Sequence, residues 1–171
     1  MRVVKLELSV WISNVEIFHI MKIKKVLFVC TGNYFRSRFA QAFFNYLGDQ
    51  QKNHPSIHWQ AFSRGFEISL LNSEQRKVPV SEFTMKKLNE MQIPLSYVQG
   101  QPTQVSQADL DRADRIVLMN EREHRRYLEH GFPGLDLKKV CFWHVEDIDQ
   151  IAPTIALEAL RVQVEKLFLE L

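Results

Sequence analysis

Residues 26–29, Val-Leu-Phe-Val, form an uninterrupted apolar run that leads into Cys30, then Thr31-Gly-Asn-Tyr-Phe35, then Arg36-Ser37. Beyond Arg36, Phe39, Phe43 and Leu47 recur at helical spacing. A short apolar run rich in valine reads as a buried strand, and a 3.6-residue period reads as an amphipathic helix. The loop between them therefore sits at a helix N-terminus. Backbone N–H groups there lack intrahelical partners and the helix dipole favours negative charge, so the position suits an oxyanion. Gly32, and an Asn33 that tolerates left-handed geometry, would let successive N–H groups converge on it.

The side chains in this loop add chemistry to that cradle. The positive field at the helix start favours the thiolate of Cys30, which is the nucleophilic form of a cysteine. Arg36 supplies a planar, permanently charged fork that holds two phosphoryl oxygens at once, a task for which lysine is a poor substitute. Ser37 is placed to offer its hydroxyl to the sulfur. A cysteine after an apolar strand is often only a small buried hydrophobe. The company of Gly, Asn, Arg and Ser at a strand-to-helix junction argues instead for a thiolate inside a phosphate-binding loop made by Thr31, Gly32, Asn33, Tyr34, Phe35 and Ser37.

The rest of the chain alternates the same two periods. Strand patterns at 25–30, 57–62, 114–119 and 139–143 are separated by helical patterns at 37–47, 81–91, 121–130 and 153–169. Such alternation predicts a three-layer, doubly wound α/β fold, with a central four-stranded parallel sheet and helices on both faces. Right-handed crossovers then place ligand loops at the carboxyl ends of the strands. In the last helix Leu160, Val164, Leu167, Phe168 and Leu171 share one face, and Pro153 is tolerated in a first turn. Residues 99–107 are polar and without period, which reads as a surface loop.

Length and composition set the limits. A chain of 171 residues with 46% hydrophobic content supports one core, so 21–171 is read as a single domain. The formal charge is +2, and the basic stretches at 22–25 and 122–126 are short and interrupted, which gives nucleic-acid binding no support. Cys30 and Cys141 are the two cysteines; no disulfide framework follows, and a reactive free thiol suits a reducing compartment, the cytoplasm. Residues 1–20 precede a second methionine, Met21. Lys5, Glu7 and Glu16 interrupt their apolar residues and the uncharged run at 8–15 is too short to span a bilayer, so neither export nor a membrane anchor is expected. They are an extension of unknown role, in which Val10, Trp11 and Ile12 have strand propensity. No His, Cys and Asp cluster has zinc spacing, so no metal or other cofactor is expected; His124 reads as part of a solvated helix face.

With these segments in view, the chain resembles the low-molecular-weight protein tyrosine phosphatases. Their loop commonly reads Val-Cys-x-Gly-Asn-x-Cys-Arg-Ser, against Val29-Cys-Thr-Gly-Asn-Tyr-Phe-Arg-Ser37 here. The likeness runs from about Met21 to the C-terminus: Gln60-Ala-Phe-Ser-Arg-Gly65 is similar to the family's strand ending in Ser-Ala-Gly, 113–119 to its third strand, and Trp143-His-Val-Glu-Asp147 to its acid loop. The resemblance implies a flavodoxin-like fold and a hydrolase acting on a phosphorylated protein or small phosphoester through a phosphocysteine. It makes Asp147 the general acid, although Ile148 stands where the family has proline and Glu146 and Asp149 are rivals. The family's paired tyrosines are replaced by Asp149 and Gln150, so aromatic contact with substrate falls to Tyr34 or Phe66. Asn33 and Ser63 match a hydrogen-bonded shell that shapes the loop; the histidine that often joins it has no counterpart near Val98 or Gln99. Phe35 occupies the place of a second cysteine able to trap the oxidised nucleophile, and Cys141 reads as core. Two alternatives stay open: an arsenate reductase, which would need a cysteine relay, and a non-catalytic phosphate-binding module, suggested by the altered acid loop.

Overall fold

A computed structural model describes residues 22–51 and 57–171; the extension with Val10, Trp11 and Ile12 lies outside them. Strands β1 (Lys22–Cys30), β2 (Ile57–Gly65), β3 (Arg115–Leu118) and β4 (Val140–Phe142) form one sheet in the order β2-β1-β3-β4, every pair parallel. Helices α1 (Arg36–Gln50), α2 (Ser73–Lys77), α3 (Glu82–Glu90), α4 (Gln107–Asp111), α5 (Glu121–Gly131) and α6 (Pro153–Glu170) connect and cover them. This is the predicted three-layer architecture, with β1 central.

The unbroken apolar run of β1 follows from that position. Successive side chains of a strand point to opposite faces, and a parallel strand covered on both sides needs apolar residues on each. Val26, Phe28 and Cys30 belong to one core with Phe39 and Phe44 of α1, Leu88 of α3 and Leu157, Leu160 and Val164 of α6. Leu27 and Val29 belong to the other, with Ile116 and Leu118 of β3, Leu110 of α4 and Leu128 of α5. The register pairs Cys30 with Gly65 and Val29 with Leu118, so the carboxyl ends of three strands finish side by side.

Two features differ from the sequence reading. Helices α2 and α4 are five residues long, too short to show a period, and each is started by a capping box, Asn72 with Gln75 and Ser106 with Asp109. Residues 99–107 are more than a surface loop. Gly65 N–H donates to the Thr103 carbonyl at 2.9 Å and Val105 N–H to the Gly65 carbonyl at 2.8 Å, and Pro102 and Val105 are buried. A polar composition hid a segment that continues the sheet edge beside the end of β2.

Leu160 is fully buried in the α1/α6 layer. Leu160→Ala is expected to lower unfolding free energy by about 2–5 kcal/mol, read from urea denaturation, as for other large-to-small core changes.

Candidate active site

The loop 31–35 is shaped by where its carbonyls go. Those of Cys30 and Thr31 accept from Phe66 and Glu67 N–H, that of Tyr34 accepts from Ser81 N–H, and that of Phe35 accepts from Phe39 N–H and the Thr84 hydroxyl. The Asn33 carbonyl accepts from Arg38 Nε at 3.2 Å. The carbonyls of Cys30, Thr31, Asn33, Tyr34 and Phe35 are thereby all satisfied. The four helices α2 to α5 each carry a side-chain N-cap, Asn72, Ser81, Ser106 and Asn120, whereas the start of α1 at Phe35 carries none. The end of α1 beside Cys30 keeps its orphan donors for something else.

Asn33 holds this shape. Its backbone is left-handed, φ 51°, a conformation asparagine tolerates. Its side-chain amide donates to Ser37 Oγ at 3.0 Å and Ser63 Oγ at 2.9 Å, and its carbonyl oxygen accepts from Thr103 N–H at 2.9 Å. Ser63 donates onward to Gln41 Oε1 at 2.7 Å, which extends this hydrogen-bonded shell into α1. Gly32 has no positive φ, so the freedom expected of it belongs to Asn33 alone. The glycine that matters is Gly65: a Cβ there would lie 2.7 Å from the Thr31 carbonyl oxygen and 2.8 Å from Asn33 N.

Cys30 Sγ lies 3.1 Å from Ser37 Oγ. Because Ser37 already accepts from Asn33, its own proton is free for the sulfur. Arg36 is completely buried. Its Nη1 and Nη2 donate to the two oxygens of Glu123 at 2.9 and 2.8 Å, Nη1 also to the Val145 carbonyl at 3.0 Å, and Nη2 to Asp147 Oδ2 at 2.5 Å. Nε is buried without a partner. Burial opposes the charge of Arg36, but Glu123, the Cys30 sulfur and Asp147 outweigh it and raise its pKa further. Burial likewise opposes ionisation of Glu123, yet hydrogen bonds from His124 and Arg36 hold its carboxyl down at about 2.

Cys30, the loop, Glu123 and Asp147 line one cavity of about 900 Å³, within the size range of small-molecule sites. Its lining includes the apolar or aromatic Tyr34, Leu70, Leu71 and Ile148, and Arg122, Arg126 and Tyr127 of α5. A family model described as low molecular weight phosphotyrosine protein phosphatase matches residues 25–142. The chain belongs to this family. It is a cysteine-dependent phosphatase. Its fold is shared with YfkJ from Bacillus subtilis (23% identity, covering 87% of this chain and 94% of that one, TM-score 0.73). A low molecular weight protein tyrosine phosphatase from T. tengcongensis is 25% identical, covering 86% and 99%, with TM-score 0.70. The YwlE arginine phosphatase from Geobacillus stearothermophilus is 19% identical, covering 86% and 92%, with TM-score 0.64. No relative with a curated description matches significantly. Residues 143–147, with Asp147, lie just beyond the matched residues.

The structure brings the candidate residues Cys30, Thr31, Gly32, Asn33, Tyr34, Phe35, Arg36, Ser37 and Asp147 together around one cavity or its immediate support. Phe35 turns its ring largely into the core. Glu146 is engaged with Asn120 and Arg122, and Asp149 with its neighbour Gln150. Phe66 does not line the cavity: it is buried, stacked on Tyr127 and tilted against His124. His124 is the clearest departure from expectation, for it is fully buried rather than solvated. Its Nε2 lies 3.2 Å from Thr31 Oγ1 and from Glu123 Oε2. Sequence reading missed Glu123, Tyr127, Leu70 and Leu71. The signal for Glu123 was present: Asn120-x-x-Glu123 is a helix-start pattern directly after β3, at the end of the sheet where parallel folds bind ligands.

Gly65→Ala should push the loop off β2; a loss of phosphatase activity exceeding the loss of unfolding free energy is the expected result of parallel assays. For Glu123, whose pKa falls from the ordinary 4.5 to about 2 on folding, the stabilisation is complete above 4.5 and fades as pH drops toward 2. The difference in unfolding free energy between the native chain and Glu123→Gln should therefore be constant above that range and shrink below it in urea titrations.

Proposed function

We propose that 21–171 is a single phosphatase domain, with 1–20 an extension, and that it hydrolyses aryl phosphate on protein tyrosine through a phosphocysteine. The observation that carries this reading is that a cysteine and a carboxylate line one cavity beside an uncapped helix start, and that the carboxylate is paired with a buried arginine whose Nε–H is free. Cys30 thiolate attacks phosphorus in line, forming the S–P bond as the bond from phosphorus to the leaving oxygen breaks. Arg36 and the loop N–H groups hold the equatorial oxygens, where charge accumulates. Nε and Nη2 lie on the same edge of the guanidinium; a phosphoryl group taking that edge displaces Asp147 toward the leaving oxygen, to which it gives its proton. Water then attacks phosphorus, Asp147 takes its proton, and the thiolate leaves inorganic phosphate behind. Ser37 supports the sulfur both as nucleophile and as leaving group. The working thiol suits a reducing compartment such as the cytoplasm, and among the described residues no helix is long and apolar enough to cross a membrane.

Tyr34, Leu70, Leu71 and Ile148 in the cavity lining favour an aromatic leaving group. Phosphoarginine is the second reading, supported by Glu146, Asp147 and Asp149 around the same mouth, which suit a guanidinium. An arsenate reductase relay draws no support, because Cys141 lies on β4, separated from β1 by β3. Purified protein should hydrolyse an aryl phosphate. Cys30→Ser should abolish turnover, and Asp147→Asn should slow it by roughly 10²- to 10⁴-fold. Unchanged turnover in Cys30→Ser would rule the mechanism out, and catalytic efficiency on phosphotyrosine against phosphoarginine peptides decides the leaving group.

A further inference from the structure

We infer that Glu123 and His124, in the first turn of α5, are positioning residues that fix which edge of Arg36 meets the phosphoryl group. The inference rests on the role given to Arg36 above. A guanidinium offers five N–H donors in a rigid plane. Here the outer pair, one on each Nη, is held by the two oxygens of Glu123, and the remaining Nη1 donor by the Val145 carbonyl. Three fixed acceptors on two different elements leave the plane of the group no rotational freedom. The edge that remains is Nε with the second Nη2 donor. Asp147 touches only its Nη2 half, and Nε–H is buried and unpaired. A buried donor is costly without an acceptor, so this edge is kept for an oxyanion.

Glu123 is itself oriented. The backbone N–H of Asn120 donates to His124 Nδ1 at 3.2 Å, which places the ring proton on Nε2. Burial keeps the imidazole neutral by lowering its pKa. Nε2–H then faces Glu123 Oε2 and Thr31 Oγ1, both at 3.2 Å, while the Thr31 hydroxyl donates to Glu123 Oε2 at 3.1 Å. The start of α5, the cysteine loop and the arginine are thereby one hydrogen-bonded unit. Glu123 touches no reacting atom; it acts through Arg36. Its negative charge also offsets part of the guanidinium's attraction for phosphate, so its contribution is to geometry in the transition state and not to ground-state affinity.

The test is steady-state hydrolysis of an aryl phosphate with inorganic phosphate as competitive inhibitor, with active sites counted by stoichiometric alkylation of Cys30. Glu123→Gln cannot accept from both Nη atoms, and kcat per active site should fall about 10- to 100-fold, the scale set by small misplacements of catalytic groups. Inhibition by phosphate should be as tight as in the native chain or tighter. His124→Gln, which keeps a neutral N–H donor, should retain more kcat than His124→Phe. Equal kcat per active site in Glu123→Gln and the native chain overturns the inference, as does a parallel loss of kcat and phosphate affinity. Failure of the native chain to hydrolyse the aryl phosphate overturns the functional reading and this inference together, and is seen before any variant is compared.

Discussion

Complete burial of the Arg36 guanidinium is the constraint on which the site depends. A buried charge is tolerated only when paired and hydrogen-bonded, because the loss of hydration is otherwise too large. Arg36 sits at the first position of α1, Glu123 belongs to α5, and the Val145 carbonyl and Asp147 belong to the segment after β4. Three parts of the chain, α1, α5 and the segment after β4, must therefore arrive in register before this one side chain can leave water. Folding the sheet and assembling the phosphate site are the same event.

The loop beside it depends on a different kind of constraint, close approach of backbone to backbone. β1 and β2 end level with each other, and Gly65 lets the Thr31–Asn33 peptides lie directly on the end of β2. Asn33 then ties the loop to Ser37, Ser63 and Thr103, from three separate segments. The result is a rigid cradle whose carbonyls are satisfied. Rigidity has chemical value, since donors aimed in advance need no reorganisation when charge develops on the phosphoryl oxygens.

Local chemistry was legible in the sequence. The apolar run 26–29, the helical period after Arg36 and the Cys-x5-Arg-Ser spacing lie within a dozen residues, where chain connectivity dictates what meets what. The strands and the four longer helices were legible for the same reason, because periodicity is a local property. The misreadings involve environment. His124 lies among charged neighbours in sequence, which suggests solvent, yet its helix packs that one residue beneath the loop against Phe66. Phe66 was offered beside Tyr34 as an aromatic substrate contact because aromatic residues suit that role, but its place in the second core was invisible. Residues 99–107 carry no period because they meet the sheet through backbone at Gly65 rather than through side chains.

By itself the sequence determined a Cys-x5-Arg-Ser loop between a buried strand and a helix, on a parallel α/β sheet, with a carboxylate available after the fourth strand. Tertiary structure alone decided which carboxylates reach Arg36. Glu123 and Asp147 stand 87 and 111 residues from it along the chain. They meet it because the order β2-β1-β3-β4 brings the ends of β1, β3 and β4 to one edge of the sheet. A contact across that distance is set by strand order and register, and no local pattern of residues encodes either.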